Sequence, residues 1–363
     1  MASAYAADRR YLVLRRDAYR YSWWAGHRSV WIRRGIDLTG WKMSNRLYQV
    51  LGKPTGALSW PLGLGFLVLN EPDQMAVIDC KWVAPLLRDA IQQYASLRNA
   101  DIAIDVAGLA YAGLRAHQLC PIAESLYSDF ALRIATIYCG RPGAADGSIS
   151  YTFGRSEVLV DTLAFLCPFL ARAGRWSGEL KFADLAIRQI QFFLKNAVDS
   201  RTGWVHHGID RITGQPMGWI GWGRGAGWLL LGATDTALEL ESFSPSFKWL
   251  MQVVQELLDK LKAAQRPDGH WPWNLVDNNS PPDSSVAALV AYSVARLVDR
   301  HPGVFRSYSA MCELALLALD QATDQKGRIA KTSGEVGEAG NYSLKYGNYL
   351  WSQGPAVAAE RIG

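Results

Sequence analysis

SEVLVDTLAFLCPFLARAG, residues Ser156–Gly174, is apolar on nearly every side when it is arranged as a helix. A helix without a polar face is buried by other elements on all sides. Seven further segments with helical spacing lie beyond about Asp73, whereas alternating β-branched patterns are nearly absent. They read VAPLLRDAIQQYASL, DVAGLAYAGLRAHQL, SLYSDFALRIATIY, KFADLAIRQIQFFLKNAV, FKWLMQVVQELLDKLKAAQ, SSVAALVAYSVARLV and AMCELALLALDQAT. The sequence therefore predicts an all-α protein.

Glycine-containing connectors of one kind close these helices. Around Gly147, Gly203, Gly269 and Gly327 the sequence reads ADGSISY, RTGWVHH, PDGHWPW and QKGRIAK, and the glycines are 56, 66 and 58 residues apart. A period of this size fits one helical hairpin per unit, as in repeat architectures. The chain of 363 residues then holds about six hairpins. We expect a closed double ring of helices, an (α/α)6 barrel, with a funnel at the end where the connectors gather.

Length and composition favour one hydrophobic core. The chain is 49% hydrophobic and long enough for a large core. Residues 61–363 are predicted to form the barrel. Residues 1–60 are rich in arginine and tryptophan and too short for a good core of their own. They are predicted to supply the first hairpin and an extension over the funnel.

The net charge of +5 is small, and the arginines near the start of the sequence form the one dense stripe of positive charge. A stripe that alternates with tryptophans can bind an anionic lipid surface or a polyanion, but arginine stems also cover apolar helix faces. We expect packing rather than membrane contact, and no nucleic-acid partner. The arginines are Arg9, Arg10, Arg15, Arg16, Arg20, Arg28, Arg33 and Arg34.

Cysteine usage and the first residues predict a cytoplasmic location. The five cysteines are odd in number and scattered, which fits neither a disulfide framework nor a Cys-x-x-Cys metal site. The start lacks an apolar stretch of signal-peptide length, and no run reaches the ~18 residues of a membrane span. No metal or organic cofactor is implied.

Two carboxylates in predicted inner helices are candidate catalytic residues. Asp161 lies within the apolar helix Ser156–Gly174, where desolvation would favour its protonated form and suit it to the general-acid role. A helix cap or an ion pair with an arginine is the structural alternative. Asp105 precedes a face of small residues, and both Asp105 and Asp101 could instead cap the start of that helix.

The span Trp204–Trp228, WVHHGIDRITGQPMGWIGWGRGAGW, combines four tryptophans with histidines, arginines and glycines. Flat aromatic surfaces beside hydrogen-bonding groups suit a polar ring such as a sugar. Adjacent histidines point apart and no third ligand follows, so a zinc site is not expected. The turn Gly223–Trp228 precedes an apolar helix and could present its amides to an anion. The candidate substrate-binding residues are His207, Trp222, Arg224 and Trp228, with Trp60 and Trp271 from elsewhere in the chain.

Five segments in order resemble the unsaturated glycuronyl and rhamnogalacturonyl hydrolases of glycoside hydrolase families 88 and 105. They are VDTLAFLCPFLARAG, WVHHGID, WGRGAGW, QRPDGHWPW with DSSVAALVAYSVARL, and YGNYLWSQGPAVAA. The resemblance implies an (α/α)6 barrel and a small, uronate-containing saccharide as substrate. It also implies vinyl-ether hydration, in which an aspartate protonates C4 of a C4=C5 unsaturated uronyl residue and activates the water that adds at C5.

By match to those segments, Asp161 would be the acid and base, and Asp105 the second inner-helix aspartate. His207, Arg224 and Trp228 would position the substrate, contact uronate or water, and stack on the sugar. The chain departs from the families at Leu159, where tryptophan is frequent, at Ala226, where asparagine is usual, and at Asp283-Ser284-Ser285 in place of Glu-Thr-Ser.

These departures leave the glycan and its linkage open. Two alternatives remain at this point. One is a barrel glycosidase that cleaves a saturated surface polysaccharide or exopolysaccharide, and the other is a non-catalytic saccharide-binding or polysaccharide-assembly protein.

Overall fold

Helices make up most of the computed structural model, which describes residues 9–16, 63–69, 84–85, 87–92, 94, 102–119, 125–241, 244–336, 339–343 and 345–362. They are α1 Asp105–Leu119, α2 Ser125–Cys139, α3 Val160–Ser177, α4 Leu180–Ala197, α5 Gly223–Leu240, α6 Phe247–Ala264, α7 Ser284–Arg300, α8 Pro302–Phe305, α9 Ser309–Gln321 and α10 Leu350–Ile362. Short 3-10 helices are Phe66–Leu69 and Arg306–Tyr308, and residues 9–16, 63–65, 84–85 and 87–92 are also helical. The strands are β1 Glu157–Leu159, β2 His206–Asp210, β3 Pro216–Ile220, β4 Thr332–Ser333 and β5 Tyr346–Gly347.

Alternate helices form an inner ring. Helices α1, α3, α5, α7 and α10 contact one another in that order, and the 3-10 helix Phe66–Leu69 contacts both α10 and α1. Helices α2, α4, α6 and α9 each pack outside the preceding inner helix. This arrangement confirms the predicted all-α fold and its double ring of helices.

Burial separates the two rings as their sequences predict. Every residue of α5 is buried, and α3 is buried along nearly its whole length. The outer helix α6 instead buries one stripe, Leu250, Val254, Leu257, Leu258 and Leu261. Inner helices therefore need apolar side chains all round, whereas outer helices need only one apolar face.

The recurring glycines let each connector lie against a neighbouring outer helix. Gly147, Gly203, Gly269 and Gly327 all have φ between +71° and +81°, a conformation that glycine adopts without strain. A Cβ atom on Gly269 would lie 2.1 Å from the carbonyl oxygen of Leu314. A Cβ atom on Gly327 would lie 2.6 Å from the backbone of Arg9. The last connector therefore meets the helical residues 9–16, where the double ring closes.

Side-chain bonds hold this closure. Gln353 of α10 donates from Nε2 to the carbonyl oxygens of Arg10 (3.0 Å) and Gly327 (3.1 Å). The guanidinium of Arg10 is buried and pairs with Asp320 and Glu360. Arg10 is therefore a structural residue of this closure. Apart from residues 9–16, the segment 1–60 lies outside the described residues.

A polar network fills the inner ring several turns below the helix starts. Asp235 of α5 is fully buried, forms an ion pair with Arg296 and accepts a hydrogen bond from Tyr292 (3.0 Å). Tyr111 donates to Glu239 (3.1 Å), which also pairs with Arg172 on α3. Each buried carboxylate therefore has cationic and hydroxyl partners, as buried charges require. The network links α1, α3, α5 and α7.

Two small sheets interrupt the helices, and the sequence did not predict them. β1, β2 and β3 form an antiparallel sheet in that order, and β4 pairs with β5. Their strands are short and lie at the starts of inner helices, so no long alternating pattern marks them in the sequence. Within the described ranges, no helix is long and apolar enough to span a bilayer.

Replacing Gly269 by alanine should destabilise the fold. The new Cβ would overlap the Leu314 carbonyl oxygen, and φ is +80°. We expect the free energy of unfolding to fall by about 2–4 kcal/mol, measured by urea denaturation. Gly214→Ala is the matched control, since Gly214 has φ +71° but no atom within 4 Å of its Cβ position. Equal losses in the two variants would mean that the connector does not depend on close packing.

Candidate active site

Asp161 stands at the start of an inner helix, not in its middle. Strand β1 runs directly into α3, with Leu159 still extended (φ −95°, ψ 153°) and Asp161 in the first helical turn. The helix is buried as predicted, but the Asp161 side chain is 19% exposed. The carboxyl group is therefore only partly desolvated, less than the apolar sequence around it predicts. A carboxylate at this position is also favoured by the positive end of the helix dipole.

His207 on β2 binds Asp161 and is itself fixed by a tyrosine. Its Nε2 lies 3.1 Å from Oδ2 of Asp161, and its Nδ1 lies 2.9 Å from the hydroxyl oxygen of Tyr342. The same hydroxyl accepts a hydrogen bond from the backbone N–H of Trp219 (2.9 Å). Burial raises the pKa of Tyr342 to about 12, so the hydroxyl keeps its proton and donates it to Nδ1. His207 then carries its proton on Nε2 and donates it to Asp161.

A bulge in β3 lets Tyr342 reach these partners. Between the pairs His206–Ile220 and Gly208–Met217, β3 has one residue more than β2, and Gly218 there has φ +71°. A Cβ atom on Gly218 would lie 2.6 Å from the Tyr342 hydroxyl and 2.7 Å from Cβ of His207. Glycine at this position therefore permits both the bulge and the close approach of the tyrosine.

Asp105 is the desolvated carboxylate of the site. It begins α1, is 6% exposed and accepts a hydrogen bond from the Tyr151 hydroxyl. Burial raises its pKa to about 7, the negative charge of Asp161 adds to the rise, and the bond from Tyr151 opposes it. The environment predicted for Asp161 is thus found at Asp105. Neutral Asp105 beside partly exposed Asp161 gives the site two carboxyl groups in different surroundings.

Arg224 holds the loop that follows β4. Residues Gly223–Trp228, predicted as a turn before a helix, are instead the first residues of α5. Nη1 of Arg224 donates to the carbonyl oxygen (2.7 Å) and the hydroxyl oxygen (2.8 Å) of Ser333, and Nη2 donates to the carbonyl oxygen of Gly334 (2.8 Å). Asp283, which caps α7, accepts from the same Ser333 through its backbone N–H (3.1 Å) and its hydroxyl (2.5 Å). These bonds fix the loop against the starts of α5 and α7.

The predicted aromatic residues lie mostly inside the protein. The Trp222 ring lies 4.6 Å from that of His207, and its Nε1 is buried without a hydrogen-bond partner among the described residues. Trp228 is 1% exposed and packs against Phe165. Trp271 is fully buried and donates from Nε1 to the Leu261 carbonyl oxygen (2.8 Å). Both rings are therefore packed in the interior, and their predicted role in substrate binding stays a prediction. Trp60 lies outside the described residues.

A different aromatic group lines the rim of the site. Trp219 is 52% exposed and meets Trp273 edge-on, with ring centroids 5.9 Å apart. Trp273 in turn contacts Tyr342 (5.4 Å). Tyr342 was not among the sequence candidates, because it is 135 residues from His207 and no local pattern joins the two. Among the described residues, no group of three histidine, cysteine, aspartate or glutamate side chains could hold a metal ion.

Comparison with known proteins assigns the chain to a family. The model of Glycosyl Hydrolase Family 88 matches residues 152–360, more than half of the chain. The chain belongs to glycosyl hydrolase family 88. No curated protein sequence matches it significantly.

Solved structures share the fold at low sequence identity. A possible member of family GH105 from Salmonella enterica serovar Paratyphi A is 19% identical, with a TM-score of 0.72 over 84% of this chain and 82% of that chain. An unsaturated glucuronyl hydrolase specific for heparin is 17% identical (TM-score 0.66, 84% and 85%). The unsaturated glucuronyl hydrolase of Bacillus sp. GL1, responsible for the degradation of glycosaminoglycan, is 18% identical (TM-score 0.63, 84% and 86%). This family 88 protein is accordingly a glycoside hydrolase with the six-hairpin fold.

Removing the hydroxyl of Tyr342 should impair this family 88 enzyme. Tyr342→Phe leaves Nδ1 of His207 and the Trp219 N–H without a partner, so the imidazole loses its fixed tautomer. We expect kcat to fall about tenfold or more, with KM changed less and the pH profile shifted. The control is Tyr308→Phe, which removes a hydroxyl bonded to Asp259 (2.6 Å) far from the site. Unchanged kcat and an unchanged pH profile would contradict the positioning role of Tyr342.

Asp105 should make stability depend on pH. The folded protein keeps Asp105 protonated up to about pH 7, whereas the unfolded chain ionises it near 3.8. The free energy of unfolding therefore falls as pH rises from about 4 to about 7, and Asp105→Asn removes this loss. The variant should match wild type at pH 4 and be about 2–4 kcal/mol more stable at pH 8, measured by chemical denaturation. Asp184→Asn, at an exposed position on α4, should show no such difference. A stability gain for Asp105→Asn that is the same at both pH values would argue against a buried, neutral Asp105.

Proposed function

We propose that this enzyme removes a C4=C5 unsaturated uronyl residue from a small saccharide, with Asp161 as general acid and base. The observation that carries the proposal is the hydrogen-bonded chain from Tyr342 through His207 to Asp161. It holds one partly exposed carboxyl group in a fixed orientation at the start of an inner helix. The unsaturated glucuronyl hydrolases among the structural relatives support the same chemistry.

The reaction adds water across a vinyl ether. Protonated Asp161 gives its proton to C4 of the unsaturated ring, and positive charge develops at C5 and the ring oxygen. The Asp161 carboxylate then takes a proton from the water that attacks C5. The resulting hemiketal opens, and the neighbouring sugar leaves from C1. Asp161 ends the cycle protonated, and His207 keeps its carboxyl group oriented throughout.

The starts of the inner helices favour an anionic substrate. Asp105, Asp161 and Arg224 lie in the first turns of α1, α3 and α5, and Asp283 caps α7. The positive ends of four helix dipoles thus converge, and the Arg224 guanidinium is within electrostatic reach of Asp161. A uronate carboxylate is the group that such an environment stabilises.

Asp105 fits a positioning role in this proposal. Because burial keeps it neutral up to about pH 7, it adds no second negative charge beside the uronate. Its protonated oxygen can donate to a substrate hydroxyl while Tyr151 binds the other oxygen. Activity should then decline above about pH 7 as Asp105 ionises.

The test is loss of ultraviolet absorbance from lyase-generated unsaturated uronyl disaccharides. Wild type should abolish the absorbance of the C4=C5 bond, and in D2O the product should carry one deuterium at C4. Asp161→Asn should be at least about 100-fold slower, because it removes the proton donor. Asp184→Asn, an exposed outer-helix position, is the matched control. No absorbance loss on any disaccharide would rule out the proposed reaction.

The raised pKa of Asp105 also fits a second candidate function. Asp105, which burial keeps protonated, and Asp161 could act as the acid and base of ordinary glycosidic hydrolysis on a saturated glycan. That reaction would require both carboxyl groups, so Asp105→Asn and Asp161→Asn would abolish it equally. It would release reducing ends from saturated polysaccharides without any change in ultraviolet absorbance.

A further inference from the structure

A cavity of about 420 Å³ opens beside the β2–β3 hairpin, and the proposed reaction does not use it. Its wall includes His206, whereas His207, the next residue along the regular strand β2, faces Asp161. Successive side chains of a strand point to opposite faces, so the cavity and the catalytic carboxyl group lie on different sides of β2. The volume is that of a site for a small molecule or a sugar ring.

Asn274 presents an unused pair of hydrogen-bond donors to this cavity. The residue lines the cavity and is only 8% exposed. Its Oδ1 accepts a hydrogen bond from the backbone N–H of Val276 (3.0 Å), which fixes the orientation of the amide. No hydrogen bond between described residues uses its Nδ2. The NH2 group of this amide is therefore available to a ligand with acceptor oxygens.

Trp219 provides a flat surface in the same cavity. It lies in the bulge of β3, its side chain is 52% exposed, and its edge is supported by Trp273. Val276, which is 45% exposed, also lines the cavity. An aromatic ring beside directed donors suits a sugar, which has an apolar C–H face and polar edges.

The charges around the cavity favour an anion modestly. Arg201 and His206 line it, and both are close enough to Asp199 to lower the pKa of that carboxyl group, after the larger effect of its bonds with Thr202. The negative charge of Asp199 partly offsets the two basic groups. Its Oδ1 already accepts hydrogen bonds from the hydroxyl (2.7 Å) and the backbone N–H (2.8 Å) of Thr202. The guanidinium, the imidazole and the Asn274 amide are all donors, so they match a carboxylate-bearing sugar.

The cavity is structurally joined to the catalytic side chains. The backbone N–H of Trp219 donates to the Tyr342 hydroxyl, which binds His207. Trp219, which lines the cavity, is thus linked through Tyr342 and His207 to Asp161.

We propose that this cavity is a second saccharide subsite, which binds a carboxylate-bearing sugar of a longer oligosaccharide whose end lies at Asp161. The sugar ring packs on Trp219, and its carboxylate accepts hydrogen bonds from Asn274 and Arg201. The identity of the ligand as an acidic saccharide rests on the proposed function. The subsite would make the enzyme prefer longer substrates to disaccharides.

The test compares binding of an unsaturated uronyl disaccharide and the matching tetrasaccharide from one lyase digest. Calorimetric titration of the Asp161→Asn protein measures binding without turnover. We expect the tetrasaccharide to bind at least about tenfold more tightly than the disaccharide. Asn274→Asp, added to Asp161→Asn, keeps the oxygen that accepts from Val276 but replaces the NH2 donors with a negative oxygen. It should abolish the tetrasaccharide advantage, and Arg201→Gln should reduce it.

Asn279→Asp is the matched control, because it makes the same chemical change at an exposed position of the same loop outside the cavity. It should retain the tenfold advantage. Equal binding of the two saccharides, or an advantage that survives Asn274→Asp, would overturn the subsite. Absorbance loss with the wild-type protein tests the proposed function separately. Tight tetrasaccharide binding without absorbance loss would refute the reaction and support the subsite. Absorbance loss without a preference for the tetrasaccharide would support the reaction and refute the subsite.

Discussion

The close approach of α3 and α5 is the constraint on which the site depends. Gly232 lies so near α3 that a Cβ atom there would be 2.6 Å from the carbonyl oxygen of Leu163, and a Cβ atom on Gly225 would meet Trp222 (2.8 Å) and Val160 (3.3 Å). Glycines on α5 thus bring two inner helices together with their starts at one end of the barrel. That contact places Asp161 and Arg224 at the starts of adjacent helices. The β1–β2–β3 sheet then brings His207, on β2, within hydrogen-bond distance of Asp161. Larger residues on α5 would separate the helices and widen the site.

The polar network of Asp235, Arg296, Tyr292, Glu239 and Tyr111 complements this packing lower in the ring. Asp235 binds groups on α7, and Glu239 binds groups on α1 and α3. Such bonds have specific geometry, so they select one rotation of each inner helix in a core that apolar contacts alone would specify less strictly. The helix starts carry the reactive groups, and the network several turns away helps to fix which residues face the funnel.

The sequence predicted the architecture well because burial has a clear signature. Helices α3 and α5 lack a polar face, and the connector glycines recur at a regular spacing, so the ring could be predicted from local pattern. The site was predicted less completely. Asp161, His207 and Arg224 stand next to distinctive segments, and the structure brings their elements together. Tyr342 and Tyr151 act across more than forty residues and have no local signature. Trp228 and Trp271 are buried, and the tryptophan content of a segment does not predict exposure, since a large aromatic ring can pack in a core as well as line a binding surface.

Tyr342 and Ser333 come from the last hairpin of the ring, whereas Asp105 comes from near its beginning. A chain that emerges from the ribosome can therefore form α1, α3 and α5 long before its histidine has a fixed tautomer or Arg224 has a loop to bind. Full activity should appear only after the final hairpin has docked beside residues 9–16. Catalysis would then report that this hairpin is in place, because a chain without it lacks both the hydroxyl that orients His207 and the loop that Arg224 binds.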